Sequence, residues 1–96
     1  MNEASETCCH VVVRGLVQGV FFRRFVQEEA RGRELRGAVW NRPDGAVEVI
    51  AEGAKPAVEQ LIERVRQGPP ASRVDEVTTR WKDPSGAYRD FSVAHP

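Results

Sequence analysis

The tetrapeptide R-P-D-G at 42–45 separates two short runs of period-two alternation, and no other stretch restricts the fold as much. Pro ahead of Asp and Gly presets a tight reversal. The runs 35–41 (L-R-G-A-V-W-N) and 46–52 (A-V-E-V-I-A-E) are therefore expected to pair as an antiparallel hairpin. In the first run Leu35, Gly37, Val39 and Asn41 share one face and Arg36, Ala38, Trp40 and Arg42 the other; in the second, Val47, Val49 and Ala51 lie together.

A strand and a helix flank this hairpin on each side. Residues 8–14 (C-C-H-V-V-V-R) are β-branched and almost continuously apolar, as a strand covered by helices should be. From 22 to about 31, Phe22, Phe25, Val26 and Ala30 recur at helical spacing, Arg24, Gln27 and Glu28 take the wet side, and Gly32 ends the helix. Beyond the hairpin, Pro56 suits a first helical turn. Ala57, Val58, Leu61, Ile62 and Val65 form the apolar stripe that follows, and Gly68, Pro69 and Pro70 enforce its stop. Residues 74–81 alternate through Val77, Thr79 and Trp81, and after D-P-S-G at 83–86 the segment 88–93 closes the chain. The order β-α-β-β-α-β, with right-handed crossovers interlocked through the hairpin, is that of an α+β ferredoxin-like sandwich. Two helices should cover one face of a mostly antiparallel sheet of four to five strands. Enzymes, regulators and RNA binders all use this arrangement, so function has to be read from particular residues.

At 96 residues the chain suits one domain, expected over 8–96 behind a short disordered tail at 1–7 that is polar and acidic, unlike a targeting peptide. Fourteen Lys and Arg balance fourteen Asp and Glu, which leaves no overall field to hold nucleic acid or a membrane surface. No apolar run approaches spanning length. A disulfide between the adjacent Cys8 and Cys9 would be strained, and only His10 and His95 could join them around a metal. Free thiols in a reducing cytoplasm and no metal are the expectation.

The segment 15–23 (G-L-V-Q-G-V-F-F-R) leads from the first strand into the first helix. Gly15 and Gly19 allow a tight bend, the N–H groups entering a helix are unpaired, and Arg23 near the first turn offers two parallel donors. Together they could hold an oxyanion. Two glycines four apart equally suit a simple tight turn; Arg23 could be a solvated helix-start cation, and Asn41 a strand-end cap ahead of Pro43. The spacing matches neither a Walker A loop nor a dinucleotide fingerprint.

Taken together, G-L-V-Q-G-V-F-F-R at 15–23 and G-A-V-W-N-R-P-D-G at 37–45 closely resemble the two signature segments of the acylphosphatase family. The resemblance runs from about 11 to 93 and includes G-P-P-A-S-R-V-D-E-V at 68–77 and the terminal Phe91 and Val93. It implies a small cofactor-free hydrolase that cleaves the carboxyl–phosphate bond of acyl phosphates. On this likeness the amides of Gly15, Leu16, Val17, Gln18, Gly19 and Val20 hold the phosphate together with Arg23, and Asn41 positions the attacking water. One departure is visible: the family usually carries Trp after the glycine matching Gly37, whereas Ala38 stands here and Trp occupies position 40, on the same strand face.

The implied chemistry fits the residue types. A carboxylate leaving group, with a conjugate acid of pKa about 4, departs unprotonated, so no general acid is needed. Neither segment supplies a placed acid or base: Glu28 and Glu29 read as helix surface, Asp44 as turn, His10 as strand. Asn41 can bind water but not take its proton, so the substrate's own phosphate oxygen is the expected acceptor. The competing reading is a non-catalytic anion or small-metabolite module of the same fold. An RNA-binding sheet is disfavoured because 47–52 lacks stacking aromatics and the chain lacks a basic surplus. The expected partner is a small acyl phosphate met by a monomer, with neither nucleic acid nor membrane.

Overall fold

The computed structural model describes residues 5–96. Its elements are β1 (Glu6–Leu16), α1 (Phe22–Arg31), β2 (Arg36–Asn41), β3 (Val47–Ala54), α2 (Lys55–Gln67), β4 (Arg73–Lys82) and β5 (Phe91–Val93). The five strands form one sheet in the order β4-β1-β3-β2-β5, antiparallel except where β5 runs parallel to β2. Both helices pack on one face, giving the ferredoxin-like α+β sandwich read from the element order.

The alternation in each strand sets that face. Cys9, Val11 and Val13 of β1 and Val47, Val49 and Ala51 of β3 are fully buried against Phe22, Val26 and Ala30 of α1 and Val58, Leu61 and Val65 of α2. The R-P-D-G reversal closes as expected: Arg42 N donates to Ala46 O at 2.8 Å, Gly45 N to Arg42 O at 3.2 Å, and Ala46 N to Asp44 Oδ1 at 3.1 Å.

Three expectations are corrected. β1 is longer than 8–14 at both ends. Glu6 and Thr7, read as part of a disordered tail, pair with Ala54 and Gly53, while residues 1–4 of that tail lie outside the described residues. Gly15 and Leu16, read as loop, instead continue β1 past a register shift after Arg14 and stand opposite Val74 and Arg73. The strands approach so closely there that a Cβ on Gly15 (φ 137) would lie 2.2 Å from the Arg73 carbonyl oxygen, which is why glycine occupies the site.

The sheet face away from the helices is itself partly covered. The connection between β4 and β5 reaches from one sheet edge to the other, and the fully buried Glu52 of β3 receives it. Its carboxylate accepts hydrogen bonds from Ser85 N at 2.9 Å, Ser85 Oγ at 2.7 Å and Gly86 N at 3.1 Å. Burial alone would raise the Glu52 carboxyl, but these donors outweigh it and hold the group below the usual glutamate range. The neighbouring Cys8 thiol is pushed up to about 11, first by burial and then by the Glu52 charge.

Candidate active site

The connection from β1 to α1 is five residues long, 17–21, and its backbone is bent by two left-handed residues. Gly19 (φ 75) adopts that conformation freely; Phe21 (φ 63, ψ 25) does so at a cost of about 1–2 kcal/mol. Val17, 1% exposed, anchors the start of the bend in the core, and Phe25 N donates to Phe21 O at 3.0 Å as the helix begins. No side chain caps α1 and no acidic residue occupies its first turn, so the positive end of its dipole faces outward uncompensated.

Gln18 joins this loop to the β2–β3 reversal. Its Nε2 donates to Arg42 O at 2.8 Å and to Ala46 O at 2.9 Å, fixing the loop against the turn that follows Asn41. A cavity of about 310 Å³ opens between them, bordered by Val17, Gly19, Phe21, Phe22, Arg23, Arg24, Asn41, Val93 and His95. Arg23 is half-buried and forms no ion pair among the described residues, although Arg24 beside it pairs with Glu28 at 3.1 Å. The Asn41 Oδ1 atom is buried without a hydrogen-bond partner among the described residues. Arg23, whose guanidinium is unpaired, and Asn41, whose carbonyl oxygen is buried and unsatisfied, thus border one cavity: the first suits an anion, and the second lacks a donor.

No carboxylate borders that cavity among the described residues. Asp44, nearest in sequence, accepts from Ala46 N and pairs with Arg14 and Arg42, which together hold its carboxyl below the usual range. Glu29 is tied to Arg33 and Arg64, and His10 pairs with Glu48. No group of three or more His, Cys, Asp or Glu side chains among the described residues is arranged to share a metal ion.

Of the residues singled out from the sequence, Arg23, Asn41, Val17 and Gly19 meet at the cavity. Val20 packs toward the core and Gln18 acts on the loop from behind. Gly15 and Leu16 belong to β1 and do not border the cavity. Ala38 and Trp40 do not border it either, so the unusual tryptophan placement leaves the cavity wall untouched. Phe21, Phe22, Arg24, Val93 and His95 border the cavity without being anticipated as site residues. Val93 and His95 arrive through the parallel pairing of β5 with β2, extended by the Ala94 N to Val39 O bond at 2.9 Å, and no local signal encodes that pairing. Phe21 had a signal, an apolar residue just outside the helical stripe.

Known proteins resemble this chain over most of its length. The family model described as Acylphosphatase matches residues 9–93. A curated acylphosphatase of Pyrobaculum arsenaticum is 46% identical over 85 residues, covering 88% of this chain and 90% of the relative. The crystal structure of acylphosphatase from Bacillus subtilis superposes with a TM-score of 0.90 at 39% identity, covering 93% of this chain and 99% of that one. An acylphosphatase structure from Coxiella burnetii gives 0.83 at 40% identity, with 94% of both chains covered.

Proposed function

The chain belongs to the acylphosphatase family and hydrolyses the carboxyl–phosphate bond of acyl phosphates, and from that premise we propose how its own residues do so. The phosphate sits in the bend at 17–20, held by its amides and by the Arg23 guanidinium, with the uncapped end of α1 behind it. Asn41 Oδ1 accepts a hydrogen bond from one O–H of a water, which keeps that proton, and so aims a lone pair at phosphorus. The water oxygen bonds to phosphorus, the bond from phosphorus to the acyl oxygen breaks, and the carboxylate leaves with that electron pair. A phosphate oxygen takes up the water's second proton. No metal or other cofactor is called for, because the guanidinium and the amide donors stabilise the phosphate charge and the leaving group needs no proton.

The observation that carries this reading is the shared cavity of an unpaired Arg23 and an unsatisfied Asn41 Oδ1. A non-catalytic binding module of the same fold has no support among the relatives. The reading extends to a monomer and, because Cys8 and Cys9 are both buried free thiols, to a reducing compartment, the cytoplasm. Acetyl phosphate hydrolysis in the presence of EDTA, competitively inhibited by inorganic phosphate, tests it; an enzyme that EDTA silences and Mg²⁺ restores would refute the metal-free step.

A further inference from the structure

One side chain at the cavity has no place in the phosphate machinery. Phe21 is 80% exposed, while its neighbour Phe22 is 1% exposed and lies in the core. The Phe21 backbone is held in the left-handed region, and the ring neither caps the helix nor joins the core cluster. A large apolar ring held in water by an unfavourable backbone, at the mouth of a reaction site, is the pattern of a ligand contact. Room for one exists: about 310 Å³ is roughly ten times the liquid volume of a water molecule, about 30 Å³, and more than a phosphate group needs. Val17 and Val93 extend the apolar border beside the ring.

We infer that Phe21 is a specificity-determining residue whose ring forms a platform for the acyl group and favours acyl phosphates with a flat aromatic or broad apolar acyl portion over acetyl-sized ones. This rests on the cavity being the acyl phosphate site. With the phosphate seated on Arg23, the acyl substituent meets the rest of the lining, where Phe21 offers the large exposed apolar surface while Val17 and Phe22 are buried. A benzoyl ring laid on Phe21 removes both surfaces from water and gains an offset-stacked contact; an acetyl methyl reaches too little of the ring to do either.

The test is kcat/KM for benzoyl phosphate and acetyl phosphate in wild type, Phe21→Ala and Phe21→Tyr. The benzoyl-to-acetyl ratio should fall about five- to ten-fold in Phe21→Ala, the scale of one lost aromatic contact, and return in Phe21→Tyr. A ratio within two-fold of wild type in Phe21→Ala overturns the inference, whether both rates persist or fall together; the latter would mark Phe21 as a support of the loop only. A wild type that turns over neither substrate overturns the hydrolase reading and this inference with it.

Discussion

Gln18 and Arg42 are joined across the site: the Gln18 side-chain amide donates to the Arg42 carbonyl at 2.8 Å, and its second proton reaches Ala46 O at 2.9 Å. The loop that carries the amides and the reversal that follows Asn41 therefore move as one piece. Gln18→Ala removes both bonds and is expected to destabilise the fold by about 1–3 kcal/mol while lowering kcat, since the phosphate and the water lose their fixed alignment. Gln18→Glu should be worse, because a carboxylate would face two carbonyl oxygens with no donor between them. Urea unfolding and steady-state kinetics on the same variants check both statements.

The two glycines of the first signature should separate. Gly15→Ala sets a Cβ 2.2 Å from the Arg73 carbonyl oxygen at φ 137 and is expected to cost about 3 kcal/mol or more. Gly19 (φ 75) has nothing within 4 Å of an added Cβ, so Gly19→Ala should cost only about 1 kcal/mol of stability yet lower turnover, because the methyl stands at the cavity. Thermal unfolding alongside kcat/KM distinguishes a residue of the sheet from a residue of the site.

Glu52 links stability to pH. Its folded-state carboxyl titrates below the ordinary value of 4.5, so the unfolded chain takes up the proton first as pH falls. The contribution is complete above that ordinary value and is lost as pH drops through the lower folded one. Glu52→Gln should destabilise by about 2 kcal/mol at pH 7, since an amide presents a donor to Ser85 and Gly86, and the deficit should shrink below pH 4. Urea unfolding at pH 7, 5 and 3 measures the convergence; parallel curves at all three would contradict it. Glu29, Asp44, Asp75 and Asp90 are also depressed, and comparing variant with wild type cancels their common share.

Cys8 should be chemically silent in the folded protein. With its thiol pushed up to about 11 beneath the Glu52 clasp, almost none is thiolate at pH 8. Mass spectrometry after a maleimide or disulfide reagent is expected to find both cysteines labelled only as fast as the protein opens. Glu52→Gln should speed Cys8 several-fold more than Cys9, which lies in the core beneath the helices.

These features differ in how far a single sequence could show them, and the difference is one of range. The R-P-D-G reversal, the stripe of α2 and the entry of Arg23 into α1 rest on neighbouring residues, so turn chemistry and periodicity were enough. The pairing of Gly15 and Leu16 with Val74 and Arg73 depends on a strand nearly sixty residues away, and alone the segment reads as a bend. Glu52 continues a regular alternation that predicts a wet side chain; only the return of Ser85 and Gly86 over the sheet makes it a buried anchor. Within the cavity, Arg23 and Asn41 were visible because each signature carries its residue at a fixed place, whereas Val93 and His95 depend on the parallel docking of β5.

The decisive measurement is metal-free benzoyl phosphate hydrolysis, with inorganic phosphate as competitive inhibitor, in wild type, Arg23→Ala and Asn41→Ala. Arg23→Ala should lose turnover and raise the inhibition constant of phosphate by at least ten-fold, because the guanidinium grips the anion in every state. Asn41→Ala should lose turnover by at least a hundred-fold and leave phosphate inhibition within about two-fold of wild type, because its carbonyl meets only the water. Turnover retained in either variant, or phosphate binding lost to the same degree in both, would contradict the division of labour between them.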